Sequence, residues 1–186
     1  YNAVLPDTIT VIESAAFESS GLQSIGIPDT VTKIETNAFH NCQELTEIKL
    51  PAGLIELGGM AFGNCLGITE VTIPRGLTTA KTEYTYTEDT TVTMYPGPFG
   101  YCENLTLVTF ENGIKKVPDC LFETCTGKIV TTIPDSVTEI GRSAFNCSGL
   151  QSIKLSQKTE RIAGIAFRGC RNLETIELPE TLKTIN

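Results

Sequence analysis

The sequence predicts a repeat solenoid, mainly of β-structure with short helical turns, built from about eight repeats of 22–23 residues. Three observations predict it. Turn-marking residues recur at this interval, apolar residues keep the same slots within it, and one phenylalanine stands at a fixed place in every complete interval. The turn positions are Pro6, Pro28, Pro51, Pro74, Glu111, Pro134, Ser156 and Pro179. One step alone is irregular, because the interval after the fourth position is 14 residues too long.

The first element of the unit is a strand, as in residues 45–51. Ile48 and Leu50 alternate there with Glu47 and Lys49. Successive side chains of a strand point to opposite faces, so the apolar pair faces a core and the charged pair faces solvent. One repeat cannot bury its own apolar face, so successive repeats must stack. Stacking in strand register places equivalent residues about 4.8 Å apart and predicts continuous apolar columns.

The remaining elements follow in chain order. Pro28 marks a corner, where a residue without an N–H suits the end of strand pairing. The alternation in residues 29–35 predicts a second, threonine-rich ladder on another wall, and residues 36–42 are interpreted as a short helical turn. The fixed phenylalanine slot follows the second ladder and predicts a buried column: Phe17, Phe39, Phe62, Phe99, Phe122, Phe145 and Phe167. Each buried ring should contribute about 1.5–3 kcal/mol.

The pattern of residues within the repeat resembles that of a known family. Residues 27–51, "IPDTVTKIETNAFHNCQELTEIKLP", combine Pro-Asp, Ala-Phe and a following Cys at fixed offsets and close on Leu-x-x-Ile-x-Leu. The chain outside residues 81–97 thereby resembles the BspA-like (Treponema pallidum-type) leucine-rich repeats of bacterial surface proteins. The resemblance implies a right-handed leucine-rich-repeat α/β superhelix, a cell-surface or extracellular location, and a role in adhesion or recognition without known catalytic residues.

We predict a single leucine-rich-repeat domain over residues 1–186, with one insertion. A solenoid needs polar caps over its last apolar rungs, and neither end of this sequence offers one. We therefore expect the chain to be a fragment of a longer protein. The sequence leaves the oligomeric state open.

The insertion, residues 81–97, accounts for the irregular step. It alternates and is rich in Thr, Tyr and Val, which predicts a two-stranded hairpin. Tyrosine gives rigid contact area at low entropic cost, so the insertion is a candidate ligand-binding element. Its candidate residues are Tyr84, Tyr86 and Tyr95, with Glu88 and Asp89 near the tip. Two alternatives stay open: the insertion merely covers solenoid surface, or Glu83, Glu88 and Asp89 hold calcium.

The outward residues of the first strand of each repeat form the second candidate surface. They are mostly polar and of mixed charge, and a broad shallow face of this kind suits a protein or a glycan polymer better than a small molecule. The candidate ligand-binding residues there are Glu47, Lys49, Glu70, Lys154 and Glu177.

Composition excludes two classes of partner. The chain has 14 Lys and Arg against 22 Asp and Glu, with a formal net charge of -8 and a pI near 4.7. A nucleic-acid groove needs a basic stripe, and none occurs, so we expect no nucleic-acid partner. No apolar run approaches the length of a membrane span, so we expect no membrane insertion by this segment.

Cysteine and histidine give no catalytic or metal motif. Six of the seven cysteines follow the repeat phenylalanine by two or three residues, which predicts a column of packed free thiols: Cys42, Cys65, Cys102, Cys125, Cys147 and Cys170. Cys120 stands outside this column and is the one candidate for exposure or for a local bridge, and the sequence leaves open whether it is free. His40, the single histidine, is interpreted as a solvated surface residue. No C-x-x-C pair and no nucleophile–base pair is recognisable, so we expect no metal, no cofactor and no enzymatic activity.

The function predicted from the sequence is a non-catalytic extracellular recognition or adhesion module. It would bind a protein or a glycan through the solenoid surface and the inserted hairpin. The alternative is a passive structural spacer of a larger cell-surface protein.

Overall fold

The structure is a computed structural model that describes residues 1–86 and 92–186. The described residues form seventeen short β-strands. In chain order they are β1 (Asn2–Val4), β2 (Val11–Ile12), β3 (Ser24–Gly26), β4 (Lys33–Ile34), β5 (Glu47–Ile48), β6 (Glu56–Leu57), β7 (Glu70–Ile73), β8 (Thr79–Ala80), β9 (Glu83–Tyr86), β10 (Val92–Tyr95), β11 (Leu107–Phe110), β12 (Lys116–Val117), β13 (Val130–Thr132), β14 (Glu139–Ile140), β15 (Ser152–Lys154), β16 (Arg161–Ile162) and β17 (Thr184–Ile185).

Two parallel ladders run along the stack. The front sheet comprises β1, β3 and β5, followed by β7, β11, β13 and β15. The side sheet comprises β2, β4, β6 and β8, followed by β12, β14, β16 and β17. Pairing follows the repeat, since Val71 lies opposite Val108 and Ile34 lies opposite Leu57. The predicted repeat solenoid is therefore confirmed, with seven phenylalanine-bearing turns and a partial eighth that supplies β17.

The third wall, here called the turn wall, carries the phenylalanine of each repeat. The sequence predicts a short helical turn there, and that prediction is wrong. The described residues contain no helix, and thus none long and apolar enough to cross a membrane. In the second turn the amides alternate: Ala38 and His40 donate to carbonyls three residues back, whereas Phe39 donates to Ala61 O in the next turn at 2.7 Å. Asn37 and Asn41 have φ of 58° and 60°, which interrupts a right-handed helix. The wall thus gains hydrogen bonds between turns that a helical turn could not make.

The core is the predicted column of phenylalanines. Neighbouring rings stack with centroids 5.1–5.7 Å apart, from Phe17 at one end to Phe167 at the other. The five inner rings are fully buried, and the two outer ones are half-buried. Phe110, the eighth phenylalanine, meets Phe122 edge-on at 6.4 Å. Offset stacks of this kind add about 0.5–1.5 kcal/mol per pair to the burial of apolar area.

The insertion divides the side sheet. β8 ends at Ala80, β9 and β10 pair with each other in antiparallel register, and the side sheet resumes only at β12. The chain re-enters the turn wall at Pro96–Pro98, where Met60 N–H donates to Pro96 O at 3.1 Å and Phe62 N–H donates to Pro98 O at 2.8 Å. The pairing on both sides of the insertion therefore keeps the solenoid continuous.

One turn, residues 125–134, departs from the apolar pattern. Ile129 is fully buried, and its N–H donates to Gly127 O at 2.8 Å in a tighter turn than the other repeats use. Thr131 then occupies the inward slot between Val108 and Ile153. Its hydroxyl donates to Val108 O at 2.8 Å, so the buried polar group is satisfied and the ladder continues.

Candidate functional site

The front sheet presents the strand-derived candidate residues to solvent. In β7, Val71 and Ile73 are buried while Glu70 and Thr72 are exposed, as strand alternation requires. Glu47 and Lys49 are exposed in the same way beside β7. The front sheet is therefore a polar face above an apolar core.

Three of the candidate residues are brought together in one hollow of the front sheet. A shallow depression of about 310 Å³ is lined by Lys49, Glu70, Thr72 and Leu107, among others, and a second depression continues past Glu47. Both are open and broad, which suits an extended partner better than an enclosed small molecule.

The other two strand-derived candidates lie apart from this hollow. Lys154 is exposed in β15, where its neighbour in register is Thr132. Glu177 is exposed beyond β15 and lines a separate hollow with Gln157 and Glu180. The five candidates predicted from strand alternation therefore do not form one site.

The hairpin candidates are located by their backbone alone. Tyr84 pairs with Met94, Tyr86 pairs with Val92, and Tyr95 pairs with Glu83. Glu88 and Asp89 lie outside the described residues, and so does the calcium alternative that depended on them. Within the described residues, no group of three His, Cys, Asp or Glu side chains is arranged to hold a metal ion.

Sequence reasoning did not single out the apolar centre of the front sheet. Leu107 and Val130 are paired in register on β11 and β13, and they are 47% and 45% exposed. The sequence places Leu107 among the outward residues, and this apolar residue in an otherwise polar row was the available signal. Val130 stands 23 residues, one repeat, after Leu107, so the repeat period was the available signal for it.

The side sheet differs from the front sheet in its electrostatics. Glu56 contacts Lys81 at 2.7 Å and Lys33 at 3.5 Å. The hydrogen bond from Lys81 is the main reason that the pKa of Glu56 is held below its ordinary value. Further along, Lys116 contacts Glu139 at 3.0 Å. Charges on this wall thus neutralise one another across neighbouring turns.

The cysteines form the predicted column except in the sixth turn, where a serine takes the place of the cysteine. Cys65 donates its thiol to Phe39 O at 3.1 Å, and Cys102 donates to Phe62 O at the same distance. Ser148 takes the equivalent slot in the sixth turn, so Cys147 is exposed, contrary to prediction. Cys120, the candidate for exposure or for a local bridge, is half-buried and free. Every cysteine is free.

Thiol labelling should separate the exposed cysteine from the column. Burial raises the pKa of Cys102 to about 12, and it also raises the pKa of Cys65 and of Cys125 well above the ordinary value, so these thiols are protonated at pH 8. We expect N-ethylmaleimide to modify Cys147 first, and the three buried thiols only after unfolding. Mass spectrometry of peptides from timed samples measures this, with Cys147→Ser as the control that removes the fast phase. Rapid native labelling of Cys102 would contradict the buried column.

Comparison with known proteins agrees with this architecture. A family model described as BspA type leucine rich repeat region (6 copies) matches the chain twice, over residues 2–91 and over residues 83–186. The chain belongs to this family. No curated protein matches the chain. The family assignment agrees with the resemblance carried by residues 27–51 and with the stacked turns seen in the structure.

Solved structures of bacterial leucine-rich repeat proteins are similar to the chain. A Treponema pallidum leucine-rich repeat protein is 26% identical with a TM-score of 0.61, and the match covers 96% of this chain and 70% of that one. A leucine-rich cell surface protein of Faecalibacterium prausnitzii is 28% identical with a TM-score of 0.59, covering 94% of this chain and 46% of that one. A Eubacterium ventriosum leucine-rich repeat protein, 20% identical with a TM-score of 0.56, covers 98% and 40% and supports the fold alone. The chain thus spans about half the length of the Faecalibacterium protein.

Proposed function

We propose that this BspA-type chain is a non-catalytic recognition module of a bacterial cell-surface protein. It acts outside the cell and binds proteins or glycans through the front sheet and the inserted hairpin. The family assignment and the similarity to a protein named as a leucine-rich cell surface protein support this proposal. A role in adhesion is part of the same proposal.

The observation that carries the proposal is the contrast between the two sheets. On the side sheet, Lys33, Glu56 and Lys81 are joined by ion pairs. On the front sheet, Glu70 and Lys49 line an open hollow, and neither takes part in any ion pair of the described residues. Charges left exposed on a broad face remain available to a partner, where they supply specificity and association rate.

The non-catalytic part of the proposal is consistent with the surroundings of His40. Its Nδ1 lies 2.9 Å from Glu18 Oε1 on the exposed turn wall, one turn away along the stack. A histidine–carboxylate pair needs a nucleophile beside it to act as a catalytic unit. The pair is explained without one, as a contact between neighbouring turns.

A charge-exchange experiment tests the recognition function. The chain is applied to an array of purified surface proteins and glycans, and bound ligands are then measured by surface plasmon resonance. The front-sheet variant K49E/E70K keeps the net charge, and the matched control K183E/E160K exchanges the exposed pair Lys183–Glu160 beside the side sheet. We expect the front-sheet variant to bind at least about tenfold more weakly and the control to bind as the parent does.

A hairpin deletion completes this experiment. In the preceding repeat, Phe62 follows Leu57 by five residues. Removing residues 82–95 gives the same spacing of five residues between Ala80 and Phe99. We expect this variant to fold and to bind more weakly. Equal binding by the parent, the front-sheet variant and the deletion would contradict binding through these two surfaces. The absence of any ligand on the array would contradict recognition and favour the passive spacer.

A further inference from the structure

The front sheet has an apolar centre beside an acidic end. Leu107 and Val130 lie side by side on β11 and β13, and almost half of each side chain is exposed. Glu70 is the register partner of Leu107 on the other side, and Glu47 is exposed one turn further on. From turn to turn, this outward row therefore consists of Glu47, Glu70, Leu107 and Val130, that is, two carboxylates followed by two aliphatic side chains.

Within residues 1–86 and 92–186 the two carboxylates take part in no ion pair, and the ion pairs there lie on the side sheet and the turn wall. Glu47 and Glu70 line the same shallow depression, together with Ser24 and Lys49, and Lys49 is not within ion-pair distance of either carboxylate. Like charges on neighbouring strands destabilise a sheet. A cationic partner would remove this repulsion.

We propose that the front sheet docks a cationic polypeptide segment. An aliphatic side chain of that segment covers Leu107 and Val130, and its Lys or Arg residues pair with Glu70 and Glu47. This inference rests on the proposed recognition function and names the class of its partner. The net charge of -8 attracts such a segment from a distance, and the row then orients it.

The spacing of the row sets the sequence that fits it. The centres of the aliphatic pair and of the carboxylate pair are two turns apart, about 10 Å at the usual strand spacing. An extended polypeptide covers that distance in about three residues. Lys49 lies in the adjacent row, between Gly26 and Thr72, where it repels a basic side chain displaced sideways. A polypeptide meets both requirements, because it carries aliphatic and cationic groups at a fixed separation.

Fluorescence anisotropy with defined peptides tests the proposal. The first probe is a short labelled peptide with the order Arg-x-Arg-x-Leu, which places both arginines and the leucine on one face of an extended chain, with the centre of the arginine pair three residues from the leucine. The second replaces this leucine by serine, and the third replaces the arginines by glutamates. We expect the first to bind most tightly and to weaken as salt is raised, the second to bind about tenfold more weakly, and the third not to bind.

Variants of the chain locate the binding. We expect E47K/E70K to abolish binding of the first peptide, and L107S/V130S to weaken it to the level of the second. The control E13K/D135K changes the net charge equally on exposed residues outside the front sheet, and it should bind nearly as the parent does. Circular dichroism confirms that each variant is folded.

Three results would overturn the inference. The first is failure of the first peptide to bind, and the second is equal binding of the first and second peptides. The third is an equal loss of affinity in E47K/E70K and in the control E13K/D135K, which would show that net charge alone attracts the peptide. If array ligands still depend on K49E/E70K while the peptide does not bind, recognition stands and the class of partner is wrong. If the array ligands are glycans that compete with the first peptide for Glu70, a polypeptide is likewise the wrong class of partner.

Discussion

Replacement of Phe62 by alanine is expected to lower the free energy of unfolding by about 3–5 kcal/mol. The ring is fully buried, and it stacks on Phe39 at 5.1 Å and on Phe99 at 5.5 Å. The substitution removes apolar burial, leaves a cavity between two fixed rings, and breaks two stacking contacts at once. Urea titrations followed by circular dichroism measure the loss.

The ends of the column provide a matched control. Phe17 has the same slot and the same chemistry, but it is half-buried and stacks on one ring only, Phe39. Phe17→Ala should therefore cost about 2 kcal/mol, because less area is buried and one stacking contact is lost. Phe62→Leu keeps much of the apolar volume but loses both stacking contacts, so it should cost about 1–3 kcal/mol, less than Phe62→Ala. Equal losses at the inner and outer positions would contradict a continuous stack.

The core can be predicted from the sequence because periodicity reports stacking directly. Residues one repeat apart, such as Phe39 and Phe62, are neighbours in any solenoid whatever the conformation between them. The same argument covers the side sheet, where Lys33 and Glu56 are 23 residues apart, one repeat, and meet in register. What the period cannot show is the local conformation within the repeat.

The turn wall shows this limit. Asn37 and Asn41 tolerate a left-handed backbone, but Met60 and Ile165 adopt the same conformation, with φ of 54° and 55°. Bulky and β-branched residues do not favour it locally, so composition gives no signal. The hydrogen bonds between turns impose the conformation, which is why a helical turn was the wrong expectation.

The candidate site was predictable in part for a similar reason. Strand alternation places Glu47, Lys49 and Glu70 outward, and they are exposed. Whether outward charges pair depends on their neighbours in adjacent turns, which the alternation of a single strand does not report. Val130 follows Leu107 by 23 residues, one repeat, so the period places it beside Leu107 although its own turn departs from the apolar pattern.

Replacement of Gly149 by alanine is expected to lower the free energy of unfolding by about 3 kcal/mol. A Cβ atom at this position would lie 2.4 Å from the carbonyl oxygens of Gly127 and Thr126 in the preceding turn. These are backbone atoms, so the clash is relieved only if the two turns separate. Separation would also weaken the hydrogen bond of 2.8 Å from Gly149 N–H to Cys125 O. Thermal and urea unfolding measure the loss.

Gly21 is the matched control, because it stands in the same sequence of six residues, Ser-Gly-Leu-Gln-Ser-Ile. A Cβ atom at Gly21 would meet nothing within 4 Å, so Gly21→Ala should change the free energy of unfolding by less than about 0.5 kcal/mol. The entropy lost from the unfolded chain is the same for both substitutions and cancels in the difference. What remains is the contact between adjacent turns. Equal effects at the two glycines would mean that neighbouring turns are not in backbone contact at Gly149.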